Sequence, residues 1–399
     1  MKEGKELIPI VIVAYNRPKS LNRLLVSLSK AIYNEYNIRL IISIDKGENK
    51  EVLRIAESFD WQNGEKEILY HKKKFGLRQH VLFCGNLVKQ YDGIIMLEDD
   101  LYVARDFYSY TVQALQFSKN KSYISGISLY NYQYNELCSE PFIAREDGFD
   151  NYYMQVASSW GQAWSKKQWT DFMNWYEKNR STRLESRDFP TNVSNWPKSS
   201  WKKYFMKYLV ENNTFFLFPR VSLVTNFGDA GTHVNDSDVG YQVSLYQAIN
   251  RQYKFSKLSE SKAIYDVFYE NLLIPDILNI SKQTLCVDLY GLKKPQERFY
   301  LTRNMCDYKK IGHYGCFLRP HEDNIYEDIG GQDFILYDTD EICKLGRQKK
   351  HLEAEKKIRK VKYNIRDLSL AHHRLLVKIY FDRITKMFYR KLFKWKKKP

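Results

Sequence analysis

Residues 92–108 read DGIIMLEDDLYVARDFY, in which four apolar residues lead directly into three consecutive carboxylates. The apolar run predicts a buried strand, with Glu98, Asp99 and Asp100 at its carboxyl end. Carboxylates this close repel one another, so a compensating partner is expected. Clustered carboxylate oxygens suit Mg²⁺ or Mn²⁺, which usually complete their coordination with water or phosphate oxygens. The alternative is a solvated strand end, with Asp106 capping the next helix.

The hundred residues that end in this stretch alternate strand-like and helix-like patterns. The apolar run 10–13 precedes leucines at helical spacing, and RLIISID closes a second strand at Asp45. EILYH and FGLRQHVLFCGNLVKQY read as a further strand and helix before GIIMLEDD. Alternation of this kind predicts an α/β fold with a mostly parallel sheet and flanking helices. Ligands of such sheets bind beyond the carboxyl ends of the strands, where Asn16, Arg17, Asp45 and the three carboxylates fall.

The charge of the chain is concentrated at one end. The 399 residues carry a formal net charge of +16, but residues 346–399 alone hold 19 Lys plus Arg against 4 Asp plus Glu. The rest of the chain is therefore nearly neutral. This asymmetry indicates a basic appendage that binds an acidic surface.

The basic tail also has a helical apolar pattern. Its apolar stripe, stepping by three and four, is Val377, Phe381, Ile384, Phe388, Leu392 and Trp395. Its cationic face is Arg383, Lys386, Arg390 and Lys394. The pattern predicts an amphipathic helix that lies on an anionic membrane. The alternative is a helix packed on the body of the protein. No nucleic-acid partner is expected, because no recognised nucleic-acid motif accompanies the basic run.

Cysteine usage and hydropathy bear on the cellular compartment. The six cysteines form no CxxC pair, which favours reduced thiols in a cytoplasmic protein. The opening MKEGKELIPIVIVAYNRP predicts a first strand rather than a secretory signal. No uncharged apolar stretch of about 18 residues occurs, so no transmembrane helix is expected. Together with the tail, these features predict a cytoplasmic protein on the inner face of a membrane.

Three segments together resemble the donor site of GT-A glycosyltransferases. They are PIVIVAYNR at 9–17, ISIDKG at 42–47 and LEDDLYVARDF at 97–107. The likeness is to the N-acetylglucosaminyltransferase I type and, more broadly, to bacterial family 2 sugar transferases. It spans about residues 8–235. The resemblance implies a GT-A nucleotide-sugar and acceptor domain over 1–235, followed by a region of mixed structure over 236–345 and the membrane-associating tail over 346–399.

The resemblance also implies roles for individual residues. Asp45 is similar to the acidic residue that reads a uracil ring, and Arg17 to a basic residue near the nucleotide. Glu98, Asp99 and Asp100 match an EDD form of the DxD motif. In that motif the last aspartate coordinates the metal, and the others contact ribose and sugar. The implied ligands are Mn²⁺ (or Mg²⁺) at Asp100 and a UDP-linked nucleotide-sugar donor.

The catalytic base that the resemblance implies is missing from its expected place. In the family it is an aspartate of a W-D-D-W stretch after Trp-Pro-Lys; here Trp-Pro-Lys at 196–198 is followed by SSWKKY. Lys202 and Lys203 occupy that position, and an unperturbed lysine is protonated near neutrality. A shifted alignment offers Asp171, although its helical context equally suits a solvated aspartate. Asp229, in a loop that closes over the donor in the family, is the other candidate.

Each of five further residues has two possible interpretations. His233, in the Asp229 loop, binds metal or phosphate, or is structural or solvated. Lys202 and Lys203 hold an acidic acceptor or a diphosphate, or form a solvated helix face. Trp160 and Trp164 stack on a sugar, or belong to the core.

Taken together, the resemblance and the tail predict a metal-dependent, inverting glycosyltransferase. It would move a sugar from a UDP-linked donor to a glycan or a lipid-linked acceptor, as in bacterial synthesis of a capsule or O-antigen. The alternative is a non-catalytic nucleotide-sugar-binding protein docked on a membrane. Lys202 and Lys203, in place of the expected base, favour that alternative.

Overall fold

The computed structural model describes residues 8–33, 37–182, 184–229 and 239–344, and, in the tail, 374–378, 380–381 and 384–385. The strands are β1 (Ile10–Ala14), β2 (Leu40–Ile44), β3 (Lys66–Tyr70), β4 (Gly93–Glu98), β5 (Leu101–Val103), β6 (Ile124–Ser128), β7 (Tyr134–Asn135), β8 (Glu140–Pro141), β9 (Asn151–Met154), β10 (Gln162–Ser165), β11 (Phe215–Pro219), β12 (Val224–Asn226), β13 (Ile264–Tyr265), β14 (Leu285–Asp288), β15 (Phe299–Thr302), β16 (Tyr308–Tyr314) and β17 (Phe334–Ile342). The α-helices are α1 (Pro18–Ser29), α2 (Glu51–Ser58), α3 (Leu77–Asn86), α4 (Phe107–Ser118), α5 (Lys166–Asn179), α6 (Thr191–Ser194), α7 (Lys202–Glu211), α8 (Ile274–Ile277) and α9 (Asp323–Tyr326).

A nine-stranded sheet forms the centre of the protein, in the order β13-β9-β11-β6-β10-β4-β1-β2-β3. β1 pairs in parallel with β2 and β4, and β2 with β3, through the crossover helices α1, α2 and α3. Every residue of β1 and β2 is buried, as expected for parallel strands covered on both faces. The predicted α/β fold with a mostly parallel sheet is confirmed. The edge strand β13 lies beyond residue 235, so the central sheet extends past that position.

The antiparallel strand β10 inserts between β4 and β6 and brings Trp164 into the core. The Trp164 side chain is fully buried and contacts the rings of Trp169, Trp201 and Phe205. Of the two interpretations that the sequence leaves open for Trp164, the structure favours the core.

A four-stranded sheet, β14-β15-β17-β16, follows the central sheet and has its own apolar core. Ion pairs join the two sheets: Arg145 to Asp323 at 2.6 Å, and Arg303 to Glu140 at 2.5 Å. Beside the first pair, the Tyr265 hydroxyl donates to Glu322 Oε1 at 2.6 Å. The junction between the sheets is therefore polar and partly buried.

Glu322 makes this junction sensitive to pH. Burial raises the pKa of Glu322 to about 7 from an ordinary 4.5, although hydrogen bonds from Tyr265 and Asn271 oppose the rise. Between these pH values the folded protein holds a proton that the unfolded chain has lost. The contribution to stability is thus complete below pH 4.5 and disappears as the pH rises through 7. We expect Glu322→Gln to remove a pH-dependent part of about 2 kcal/mol.

Denaturant unfolding of the parent and of Glu322→Gln at pH 5 and pH 7.5 measures this effect. The difference between the two proteins cancels the contributions of other titrating groups. Equal pH slopes in both proteins would contradict the assignment to Glu322.

The basic tail lies mostly outside the described residues. Residues 374–378 are helical, and the predicted apolar stripe is represented there by Val377, with Phe381 and Ile384 beyond it. None of the helices in the described part of the chain has both the length and the apolar character needed to cross a bilayer.

Candidate functional site

A cleft of about 720 Å³ opens at the carboxyl ends of β1, β2 and β4. The parallel register places Val13 beside Ser43 on one side and Glu98 on the other. The residues that follow these three strands therefore meet at one edge of the sheet. The predicted site residues that line the cleft are Arg17, Asp45, Glu98, Asp99, Asp100 and Asp229.

Arg17 compensates two of the three consecutive carboxylates. It follows β1 directly before α1, and its Nη1 donates to Asp100 Oδ2 at 2.7 Å while its Nη2 pairs with Asp99 Oδ1. The backbone N–H of Tyr15 donates to Asp99 Oδ2 at 3.3 Å. The guanidinium of Arg17 thus joins the segment 9–17 to the segment 97–107 through its contacts with Asp99 and Asp100.

Burial is the largest influence on the pKa values of Glu98 and Asp99 in this acidic cluster. It raises the pKa of Glu98 to about 8, an effect that the charge of Asp100 reinforces and that of Arg17 opposes. Burial also raises the pKa of Asp99 to about 6, although its ion pair with Arg17 opposes the rise. Repulsion among the carboxylates is thus reduced both by Arg17 and by the neutral form of Glu98 near pH 7.

Asp100 Oδ1 is the one oxygen of the Asp100 carboxylate that the fold leaves unpartnered. It is buried and accepts no hydrogen bond from any described residue. A buried acceptor without a partner costs free energy, so a cation or a donor at this position would be stabilising. Within the described ranges no three His, Cys, Asp or Glu side chains are grouped to hold a metal. The geometry fits a metal that takes one carboxylate oxygen from the protein and other ligands from water or phosphate.

Asp45 holds a loop at the far end of the cleft. Its Oδ1 accepts from the backbone N–H groups of Lys46 at 2.9 Å and Phe75 at 2.8 Å, and its Oδ2 accepts from Gly76 at 2.8 Å. Gly76 has φ 75°, which glycine adopts without the steric cost of a side chain. The residue predicted to read a base is therefore in the cleft, and its carboxylate also fixes the turn that precedes α3.

A histidine pair that the sequence did not reveal lies behind Asp45. The Ser43 hydroxyl is 2.8 Å from His80 Nε2 and 2.9 Å from His71 Nε2. Burial is the main cause that lowers the pKa of His80 to about 4, and the neighbouring His71 adds to it. His80 lines the cleft and is neutral near pH 7. No sequence signal marks it, because His71 and His80 come together only in the folded protein, where both lie beside Ser43 and their rings contact each other.

Asp229 is in the cleft but is bound to α1. The antiparallel pair of β12 with β5 brings the segment 227–229 beside Asp100. Asp229 Oδ2 accepts from the Ser20 hydroxyl at 2.7 Å and pairs with Arg23. Burial alone would raise the pKa of Asp229, but these hydrogen bonds outweigh it and lower the pKa. Stabilisation of the ionised form favours an anchoring role over that of a proton acceptor.

The other predicted residues lie elsewhere. Asp171 is on the exposed face of α5, where its carboxylate accepts from Lys167 Nζ at 2.6 Å, and the structure does not bring it to the cleft. His233 lies outside the described residues. Of the two candidate bases, Asp229 is therefore bound to α1, and Asp171 lies on a different surface.

Part of the cleft lining is aromatic. Trp160, Ser199 and Tyr241 line the cleft, and the Trp160 ring lies 4.9 Å from that of Tyr241 and 4.8 Å from that of Tyr130. Trp160 is half-buried, unlike Trp164, so it presents ring surface to the cleft.

Lys202 and Lys203 are buried at the start of α7. Lys202 Nζ donates to Glu136 Oε2 at 2.6 Å and to the Tyr132 hydroxyl at 2.9 Å. Lys203 Nζ donates to the carbonyl of Trp196 at 2.7 Å, and burial lowers the pKa of Lys203. The expectation of a solvated helix face is thus wrong, because hydrogen bonds to the preceding loop and to the segment after β6 draw both lysines inward.

The central sheet gathers polar segments at the carboxyl ends of β1, β2 and β4, where a nucleotide would bind. This arrangement is that of a GT-A domain. Residues 10–154 match the model of the family described as Glycosyl transferase family 2. The match covers the elements from β1 to β9, and with the fold it supports a glycosyltransferase. No curated protein matches the chain.

Solved structures of three glycosyltransferases are similar over part of the chain. GalNAc-T7 with UDP, GalNAc and Mn²⁺ is 13% identical, with a TM-score of 0.38 over 55% of this chain and 43% of that one. TarS 1–349 of S. aureus, also solved with UDP, is 11% identical, with a TM-score of 0.35 over 54% of this chain and 60% of that one. The mannosyltransferase PcManGT of Pyrobaculum calidifontis, with GDP-Man and Mn²⁺, is 11% identical, with a TM-score of 0.30 over 41% of this chain and 45% of that one. The chain thus spans about half the length of these proteins.

Proposed function

We propose that the protein is a metal-dependent glycosyltransferase that moves a sugar from a UDP-linked donor to a glycan or a lipid-linked acceptor. The observation that carries this proposal is Asp100 Oδ1, a buried carboxylate oxygen with no partner among the described residues, beside the Arg17 pair at an open cleft. We assign the enzyme to the assembly of a bacterial surface polysaccharide, a step that rests on the predicted membrane tail.

Different residues of the cleft would hold different parts of the donor. Asp45 fixes the turn at Gly76, so the base end of the cleft is formed before the nucleotide binds. Arg17 pairs with Asp100 in the acidic cluster. A cation bound at Asp100 would compensate that carboxylate in its place, and the guanidinium could then contact a phosphate. Mn²⁺ or Mg²⁺ held at Asp100 would supply the positive charge that stabilises a departing diphosphate. The choice of UDP rests on the resemblance that assigns Asp45 to a uracil ring.

The competing function is nucleotide-sugar binding without catalysis. It is favoured by Lys202 and Lys203, which stand where the resembling family has its base. Both functions require the donor site, and only the first requires turnover.

Calorimetric titration with UDP tests the donor site. We expect UDP to bind in Mn²⁺ and to bind much more weakly after addition of a chelator, with GDP and ADP as specificity controls. Release of UDP from a panel of UDP-sugars then separates an enzyme from a binding protein. Absence of UDP binding with or without Mn²⁺ would contradict the proposal for both functions.

We further propose that the tail docks the enzyme on the inner face of the membrane. The described part of the tail supports this, because Val377, Tyr380 and Phe381 are exposed rather than packed on the body. Removing residues 347–399 is expected to release the protein from vesicles that contain anionic phosphatidylglycerol. Vesicles of phosphatidylcholine alone are the control. Cosedimentation of the truncated protein at the level of the full chain would refute the docking.

A further inference from the structure

The segment that follows β6 reaches the same edge of the sheet as the donor cleft. β10 is antiparallel to both β4 and β6, so β4 and β6 run in the same direction and end at the same edge. The segment 129–138 leaves β6 there and meets the start of α7. Residues of this segment therefore lie at the same edge of the sheet as the residues that end β4, with β10 between the two strands.

An ion pair joins the segment 129–138 to α7. Lys202 Nζ donates to Glu136 Oε2 at 2.6 Å, and the Tyr132 hydroxyl provides a second partner at 2.9 Å. The Nζ atom also lies 5.8 Å from the ring centroid of Trp160 and 5.5 Å from that of Trp196. The pair is thus enclosed by aromatic rings, which suit the apolar faces of a sugar.

The ion pair does not itself line the donor cleft, but it packs against Trp160, which does. Trp160 lines the cleft and faces Lys202 as well, and Ser199, three residues before Lys202, also lines it. A molecule that contacts Glu136 would therefore approach the donor from the side of Trp160.

Glu136 differs from the other candidate carboxylates in its partners. Both oxygens of Asp229 are bound, by Arg23 and Ser20, and Asp171 lies on the exposed face of α5 with Lys167 as its partner. Lys202 engages only Oε2 of Glu136; no described residue donates to Oε1, and 17% of the side chain is exposed. Glu136 therefore keeps one carboxylate oxygen for a ligand.

We propose that Glu136 is the catalytic base of the transfer reaction, and that Lys202 is a positioning residue that holds its carboxylate toward a carbohydrate acceptor. The inference rests on the proposed function. The carboxylate that the resembling family carries on this helix is replaced by a lysine, and the lysine draws in a carboxylate from the segment after β6. The carboxylate is thus supplied by a different segment of the chain, and it lies on the Trp160 side of the cleft.

The reaction balances with these groups. Glu136 accepts the proton of an acceptor hydroxyl, whose oxygen forms a bond to the anomeric carbon of the donor sugar. The bond between that carbon and the phosphate oxygen breaks, and the electron pair leaves with the diphosphate. Glu136 then releases its proton to solvent, and Lys202 keeps its own proton throughout.

The test is UDP release by the full chain in Mn²⁺, with UDP-glucose, UDP-galactose and their N-acetylamino analogues as donors and octyl glycosides as acceptor probes. Glu136→Gln is expected to lower kcat by 10²- to 10⁴-fold (an order-of-magnitude range) while the KM for the donor and the Kd for UDP change less than about twofold. The matched control is Glu177→Gln, which removes an exposed carboxylate of α5 and should leave all three values unchanged.

Lys202 is tested by a pair of variants. Lys202→Met is expected to lower kcat, and Lys202→Arg, which keeps the charge and a donor, to recover much of it. A role in folding alone would lower the melting temperature without this split between kcat and the donor KM. Glu136→Gln with the kcat of the parent would overturn the inference and leave the donor-site proposal intact. A parent that neither binds UDP nor releases it from any donor would overturn both.

Discussion

Asp100→Asn is expected to abolish the metal-dependent part of UDP binding and to lower the turnover of UDP-sugars by about 10²-fold or more. The substitution keeps the size of the side chain and removes its charge. It also replaces one carboxylate oxygen with an NH₂ group, which cannot ligate a divalent cation. Since Asp100 Oδ1 has no hydrogen-bond partner among the described residues, its loss should affect ligand binding more than folding.

The measurement is the same UDP titration in Mn²⁺ and in chelator, followed by UDP release from UDP-sugars. Asp171→Asn is the matched control, because Asp171 is an exposed aspartate that pairs with Lys167 on the same helix. Asp171→Asn should bind and turn over as the parent does. Metal-dependent binding that survives in Asp100→Asn would move the metal site to another carboxylate of the cluster.

The parallel strands of the first hundred residues are the part of the fold that the sequence predicts best. The apolar runs that end at Ala14, Ile44 and Glu98 are buried on both faces, and burial on both faces leaves a continuous apolar signal. The insertion of β10 between β4 and β6 was not predicted. Its four residues, Gln162–Ser165, are too few to show a period, and Trp164 is core only because α5 and α7 pack over it.

The donor side of the site follows from the sequence because its residues come directly after strands. Arg17, Asp45 and Asp100 are placed by the strand ends alone. The acceptor side does not follow, because Glu136 and Lys202 meet across 66 residues of chain. Nothing in the stretch YNYQYNEL distinguishes Glu136 from a solvated glutamate. Its significance appears only when β6 and α7 are placed side by side.

Arg17→Gln is expected to destabilise the protein by about 3 kcal/mol in the absence of metal. Arg17 pairs with both Asp99 and Asp100, whose carboxylates are largely buried. Removing the guanidinium leaves two desolvated carboxylates without their cation, which costs more than the pair itself contributes. Chemical denaturation in chelator measures the loss. Arg54→Gln, which breaks an exposed pair with Glu51 on α2, is the control and should cost less than about 0.5 kcal/mol.

The double variant Arg17→Gln/Asp99→Asn separates charge from packing. If unpaired charge causes the loss, removing one of the two carboxylates should restore part of the stability, whereas a packing defect would persist or grow. Mn²⁺ should also stabilise Arg17→Gln more than it stabilises the parent, because the ion binds the folded state at a site where the competing guanidinium is gone. A loss as small as that of Arg54→Gln would mean that Arg17 does not compensate the cluster, and that repulsion among the three carboxylates is relieved chiefly by protonation of Glu98.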